Sequence, residues 1–276
     1  MHLNIVLNNP RRNIENLRKI VAFINTLNLE VLILPYMHLY GPFISEDVLN
    51  NMDQAKLKEY ISSSYNLYIH KLVLLAKNYG LNIFIPGVIE VAGARRYISA
   101  ILVRSFTGEI EKYRKIILSG IDEKLKITRG SDIHVFKLDN TSFTAMIEND
   151  ILYPELARLN LLFSDFMVIG LPQNEPVKKY ESFIKVISKS NNAVVVVPGA
   201  IVYKSTNLYT SFPTLIYDET GELMYRYSGD EQALIIMPVS RIKRVGVGEE
   251  SLIDFYRVYK LIRKHFTRCI KYEYRE

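Results

Sequence analysis

The sequence predicts a layered α/β sandwich in one domain. Three observations carry that expectation. Apolar runs of strand length alternate with segments whose apolar residues recur at helical spacing. Several runs, such as VLILP at 31–35 and AVVVV at 193–197, are apolar throughout, as strands buried on both faces are. No repeat or low-complexity linker interrupts the 276 residues, and that length is ordinary for one α/β domain.

The elements follow in order. Residues 3–9 read as a strand. Residues 14–28 set Leu17, Ile20, Val21, Ile24 and Leu27 on one helical face, and 31–35 is a buried strand. Residues 55–79 predict a long helix stopped at Gly80. Three strands follow at 83–93, 96–105 and 108–118, separated by a Gly-Ala-Arg-Arg turn and a Thr-Gly turn. The polar loop 119–133 suits a functional segment and a solvated one equally. Strands at 134–139 and 142–148 flank an Asn-Thr turn, and a helix starts near Tyr153. A strand at 166–172, a helix at 176–190 and a strand at 193–199 continue the alternation. A hairpin around Thr220-Gly221, an apolar run at 232–240 and a helix over 251–267 complete it.

Composition narrows the function classes. No apolar run reaches the roughly 18–20 residues of a membrane span. The strand-like opening LNIVLNN predicts no signal peptide, so a soluble, cytoplasmic protein is expected. Cys269 is the single cysteine, so neither an intrachain disulfide nor a zinc cluster is expected. The five histidines (His2, His38, His70, His134, His265) form no pair at i,i+4 spacing, and no metal is expected. Gly246-Val247-Gly248 is a weak phosphate-loop signal, so no cofactor is expected either. The absence of tryptophan and the scarcity of glutamine suit a thermophilic source and an AT-rich genome equally.

The stretch TAMIEND at 144–150 is the most informative. An apolar run ends in Glu148, Asn149 and Asp150 just before a helix, and a strand-to-helix turn at a sheet edge commonly carries a catalytic side chain. With this stretch, four segments taken in order resemble the nitrilase (carbon–nitrogen hydrolase) superfamily. They are VLILPYMHLYG at 31–41, EKYRKIIL at 111–118, DEKLKITRG at 122–130 and IENDILYPELAR at 147–158. TLIYDETGEL at 214–223 resembles a later strand-turn-strand of that family.

The resemblance implies a four-layer α-β-β-α sandwich over residues 1–245, with 246–276 as a basic helix and tail in a subunit interface. It implies a base glutamate after the proline of the second strand, a lysine in a Y-R-K motif, and a cysteine nucleophile after an apolar strand. Lys115 matches the lysine, and Glu123, seven positions before Gly130, matches a second supporting glutamate. Asp150, Pro154, Glu155 and Arg158 match the scaffold around the nucleophile. Tyr36 stands where the base belongs, and Glu148 where the cysteine belongs. Asn149 and His38 join the expected pocket.

Those two departures decide the chemistry that the resemblance allows. A carboxylate is a poor nucleophile toward an amide, and it lacks the thiol that an adjacent base activates. A tyrosine of ordinary pKa about 10 is neutral near pH 7 and is no base. Lys115 is expected between Glu148 and Glu123, with the Tyr36 hydroxyl donating to Glu148. The expectation is a pseudoenzyme with a binding, regulatory or structural role, whose pocket suits a small amine- or amide-like molecule. The alternative is an active carbon–nitrogen hydrolase, with Glu148 as general base on water and Lys115 steadying the oxyanion.

The charge balance concerns partners. The chain is +6, and residues 240–276 hold ten Lys/Arg and five Asp/Glu. In the predicted last helix Phe255, Tyr259, Ile262 and Phe266 share one face, while Arg257, Lys260, Lys264 and Arg268 share another. The resemblance implies a homodimer or a larger homo-oligomer. No helix-turn-helix, RNA-binding or zinc signature accompanies the basic face, so neither nucleic acid nor a membrane is an expected partner.

Overall fold

A computed structural model describes residues 1–41, 53–242 and 256–261. The chain divides into two compact units, Met1–Lys243 and Arg244–Glu276. In the second, residues 256–261 are helical, with the Lys260 ammonium 4.5 Å from the Tyr256 ring centroid. The rest of the expected last helix, Gly246-Val247-Gly248, His265 and Cys269 lie outside the described residues.

Among the described residues, the first unit holds three sheets. Strands β1 (Leu3–Val6), β10 (Ala200–Lys204) and β11 (Asn207–Phe212) form one, in the order β1-β10-β11. Strands β2 (Val31–Ile33), β3 (Asn82–Ala92), β4 (Arg95–Val103) and β5 (Ile110–Arg114) form the second, in sequence order. The third has six strands: β6 (Val135–Lys137), β7 (Ser142–Ile147), β8 (Phe166–Gly170), β9 (Val194–Val197), β12 (Thr214–Tyr217) and β13 (Leu223–Tyr227). Its order is β13-β12-β9-β8-β7-β6, with β7, β8 and β9 mutually parallel. The apolar runs of β8 and β9 occupy its centre, where both faces are covered, whereas VLILP supplies β2 at the edge of the four-stranded sheet, with Val31 and Ile33 half-buried.

Helices cover the outer faces. Helix α1 (Pro10–Ile24) starts with proline in its first turn and the Asn9 side chain accepting from Arg12 N at 3.1 Å. Its buried face, with Leu17, Val21 and Ile24, meets β1 and helix α2 (Gln54–Tyr79). Asp53 caps α2, and Gly80 at φ +59° ends it in the left-handed conformation that glycine tolerates. Helix α2 lies on β3 and β4. A short helix α3 (Gly120–Lys124) follows β5. Helices α4 (Pro154–Leu161) and α5 (Lys178–Asn191) lie on the other side, against β7, β9 and β12. Because β3 and β4 contact β7 while β3 also contacts β8, the order is helices, sheet, sheet, helices.

An aromatic cluster joins the two larger sheets. Phe84 of β3 meets Phe136 of β6 and Phe143 of β7 edge-on, with centroids 5.1 and 4.8 Å away. Phe143 also stacks on Phe136 and Phe166. All four rings are buried, and each offset or edge contact adds to the area they remove from water.

One expectation fails in the late part of the chain. The apolar run at 232–240 forms no strand; Ala233 makes one isolated bridge to His2, and Leu234, Ile235 and Met237 pack half-buried on the core from outside. Conversely, β10 and β11 were unanticipated. Most of β11 is exposed, so it lacks the apolar alternation that marks a half-buried strand.

The outer face of the four-stranded sheet buries one carboxylate, Glu90. It accepts from Ser99 Oγ at 2.6 Å, Lys112 Nζ at 2.7 Å and the Arg114 guanidinium at 2.9 and 3.0 Å. Burial works against its charge, but Arg114, Lys112 and Ser99 together hold its pKa down, at about 2. The folded state thus binds this proton less readily than the unfolded one. The resulting stability, at most about 3 kcal/mol, is present above pH ~4.5 and is lost as the pH falls through ~2. Chemical denaturation across that range should show this loss in the wild type and a flatter acid branch in Glu90→Gln. Separately, Phe143→Ala should cost ~3–5 kcal/mol in the same assay at pH 7.

Candidate functional site

Strand alternation assembles the site. In Tyr113-Arg114-Lys115, Arg114 points outward to Glu90, while Tyr113 and Lys115 point between the sheets. Lys115 continues the pairing of β5, its N–H donating to Ile98 O at 2.8 Å. Gly130 N donates to Lys115 O at 2.8 Å, and a side chain at Gly130 would strike the backbone of Arg114. The lysine is therefore held from both sides.

Lys115 is fully buried, and its ammonium donates to Asp122 Oδ2 at 2.6 Å and to Glu148 Oε2. Burial works against the ammonium, but the Glu148 and Asp122 carboxylates more than reverse this and raise its pKa. The second carboxylate is a correction: it is Asp122, whereas Glu123 is exposed. The reason is a capping box. Ser119 N and Oγ donate to Asp122 Oδ2 at 2.7 and 2.9 Å, and Asp122 N donates to Ser119 Oγ. The cap turns Asp122 inward and its neighbour out. The Ser119-x-x-Asp122 pattern was readable in the sequence.

Glu148 follows β7 and opens a 3-10 turn over Glu148–Leu152. Its φ is +47°, a left-handed conformation that is uncommon for a non-glycine residue and costs of order 1–3 kcal/mol. Asp150 holds the turn. Its Oδ1 accepts from Ile116 N at 3.1 Å and Ile117 N at 2.8 Å; its Oδ2 accepts from Tyr113 OH at 2.8 Å and Ile147 N at 3.1 Å. Burial pushes this carboxyl up to about 6 in spite of those donors. One side chain thus ties the strand end at Lys115 to the turn that carries Glu148. Pro154 starts α4, Arg158 donates to Ser190 O at 2.9 Å, and Glu155 is exposed.

Tyr36 lies beyond β2, buried, and its hydroxyl donates to Glu148 Oε1. Burial and then the Glu148 carboxylate push its pKa well above the ordinary tyrosine value, so it acts as a neutral donor. Its backbone carbonyl accepts from Gln173 Nε2 at 2.9 Å. Its ring lies against Gly87 and Gly170, and a Cβ on either would collide with it.

A cavity of about 370 Å³ opens beside Tyr36, Asp122, Glu148 and Asn149. Lys115 does not line it; the Glu148 carboxylate stands between. His38 does not line it either, which corrects another expectation. Its ring is buried and shares a hydrogen bond with Tyr68 OH at 2.8 Å, and burial pulls its pKa down to about 4, so it is neutral. Lining residues that sequence reading did not single out include Tyr40 and Ser119, and also Glu175 and Tyr180, whose hydroxyl donates to Glu175. The last two come from a loop and a helix remote from Tyr36 in the chain. A larger cavity of about 570 Å³, beneath residues 234–239, shares no lining residue with this site. Among the described residues, no three His, Cys, Asp or Glu side chains are grouped to hold a metal ion. No described helix is long and apolar enough to cross a membrane.

No family model and no curated protein matches the sequence. Solved structures do match the fold. The NitN amidase from Nesterenkonia sp. AN1 superposes with a TM-score of 0.70 at 13% identity, over 96% of this chain and 97% of that one. A cysteine-to-serine variant of the same amidase, described as from the nitrilase superfamily, gives 0.70 at 14% identity, over 96% and 95%. A third structure, with the acetamide moiety of fluoroacetamide added covalently at the active-site cysteine of that amidase, gives 0.67 at 14%, over 83% and 84%. The chain therefore has the fold of the nitrilase superfamily. At such identity the likeness concerns architecture, and the chemistry has to be argued from the side chains.

Removing Glu148 tests the ion pair. Glu148→Ala leaves a buried ammonium with one partner fewer, and should lower stability by more than ~1–2 kcal/mol in chemical denaturation. An unchanged midpoint would mean that water reaches Lys115.

Proposed function

We propose that this chain is a pseudoenzyme on the nitrilase scaffold. In this reading Tyr36 stands in the position of the base glutamate, Lys115 is retained, and Glu148 stands in the position of the nucleophile. One observation carries it. The Glu148 carboxylate receives both the Lys115 ammonium and the Tyr36 hydroxyl, so each group that would serve an acyl transfer is already engaged. No thiol lies among the lining residues, and Tyr36 holds its proton too firmly to act as a base. A missing base alone typically costs ~10²–10⁴ in rate.

The alternative, water activated by Glu148 with Lys115 steadying the oxyanion, needs an ammonium that a substrate oxygen can approach. Lys115 is fully buried behind Glu148, which speaks against it. The role that remains is binding. A cavity of about 370 Å³ is of small-ligand size, and an amine- or amide-like molecule is its proposed occupant. Self-association into a homodimer and a cytoplasmic location belong to the same reading and rest on the superfamily resemblance.

The test is ammonia release from a panel of amides, nitriles and carbamoyl compounds, with Lys115→Ala as the control. The expected result is no release above the control. Release that disappears in the control would overturn the pseudoenzyme reading.

A further inference from the structure

Asn149 lines the cavity with a side-chain amide that no described residue engages. The four hydroxyl-bearing residues of the lining are Tyr36, Tyr40, Ser119 and Tyr180. Each already donates to the protein: to Glu148, to Ile61 O at 3.0 Å, to Asp122 at 2.9 Å and to Glu175. Lys115 spends two of its protons on Asp122 and Glu148, away from the opening. Acceptors are left over. Each Glu148 oxygen takes one of these donors and keeps a further lone pair, and its side chain is 15% exposed. Glu175 takes both Tyr180 and Lys179 on Oε2.

The formal charge leans the same way. The buried group of Lys115, Asp122 and Glu148 carries one positive and two negative charges. Glu175, which also lines the cavity, is paired with Lys179. Lys124 also lines the cavity, but it is exposed, where water screens it. The lining also includes apolar and aromatic side chains, among them Ile89, Ile98, Leu125, Tyr40 and Tyr180.

We propose that this cavity binds a small organic monocation, a primary ammonium on an apolar body, with the ammonium on Glu148 and the body against the isoleucines and tyrosine rings. The proposal rests on the non-hydrolytic reading and narrows its ligand. An ammonium brings its own protons and the missing positive charge, and aromatic faces favour it further. A neutral amide brings no positive charge to Glu148, and its carbonyl finds none of the lining hydroxyls free to donate, which leaves it the Asn149 amide. A carboxylate adds like charge.

Three probes with one ring compare the charges: benzylamine, benzamide and benzoate, titrated calorimetrically into the full chain at pH 7. Benzylamine is expected to bind at least tenfold more tightly than either of the others. Glu148→Gln should weaken it about tenfold or more, and Glu175→Gln several-fold. If Glu148→Gln does not fold, the ranking on the wild type and the Glu175→Gln titration carry the test. Equal or tighter binding of benzamide, preference for benzoate, no binding of benzylamine, or insensitivity to both variants would each overturn the inference. Ammonia release from benzamide would instead overturn the pseudoenzyme reading, so the two failures are separable.

Discussion

The contact of the Lys115 ammonium with two carboxylates is the constraint around which this unit is arranged. An unpaired charge at that depth would be untenable, so one partner is delivered from seven residues along the chain and the other from thirty-three. Asp122 comes from a capped one-turn helix after β5, and Glu148 from a strained turn after β7. Asp150 links the two by bonding the backbone on either side. The pair adds little net stability in itself, because desolvation offsets much of the Coulomb attraction. It specifies which strand ends meet.

The site was legible in the sequence where a functional side chain adjoins an apolar strand. Tyr36, Lys115, Glu148 and Asp150 all stand at strand ends, and the structure brings them together. Legibility failed where one residue of helical phase decides. Asp122 and Glu123 are adjacent acids, and only the Ser119 cap distinguishes the buried one from the exposed one. It failed again where partners are remote. His38 turns to Tyr68, and Tyr180 reaches the cavity from a helix that begins 142 residues after Tyr36, at Lys178. Much of the strand alternation was readable because apolar runs mark it. Strand β11, mostly exposed, and the apolar segment 234–237, which coats the core without pairing, break that correspondence in opposite directions.

The sheets and outer helices form the nitrilase architecture at 13–14% identity to solved amidases, and within this chain the turn after β7 holds residue 148 at φ +47°. A strained turn is often taken as the signature of a working nucleophile. Here its conformation is accounted for by the four hydrogen bonds to Asp150, which operate whatever side chain stands at 148. Backbone geometry at such a position therefore reports the scaffold, and the side chain must be read separately.

The seat of Tyr36 has a consequence for substitution. Gly87 and Gly170 leave a slot that only a flat ring fills, and Gly170 also lies against Pro86 O. A glutamate at 36 would vacate that slot, and neither glycine has a side chain to collapse into it. A cysteine at 148 would at the same time strip Lys115 of its second counter-charge. Exchanging both head groups would therefore leave a void beside Gly87 and Gly170, and the new carboxylate at 36 would have to reach Lys115 in place of the one lost from 148. Packing around Tyr36 and charge balance at Lys115 thus constrain positions 36 and 148 together.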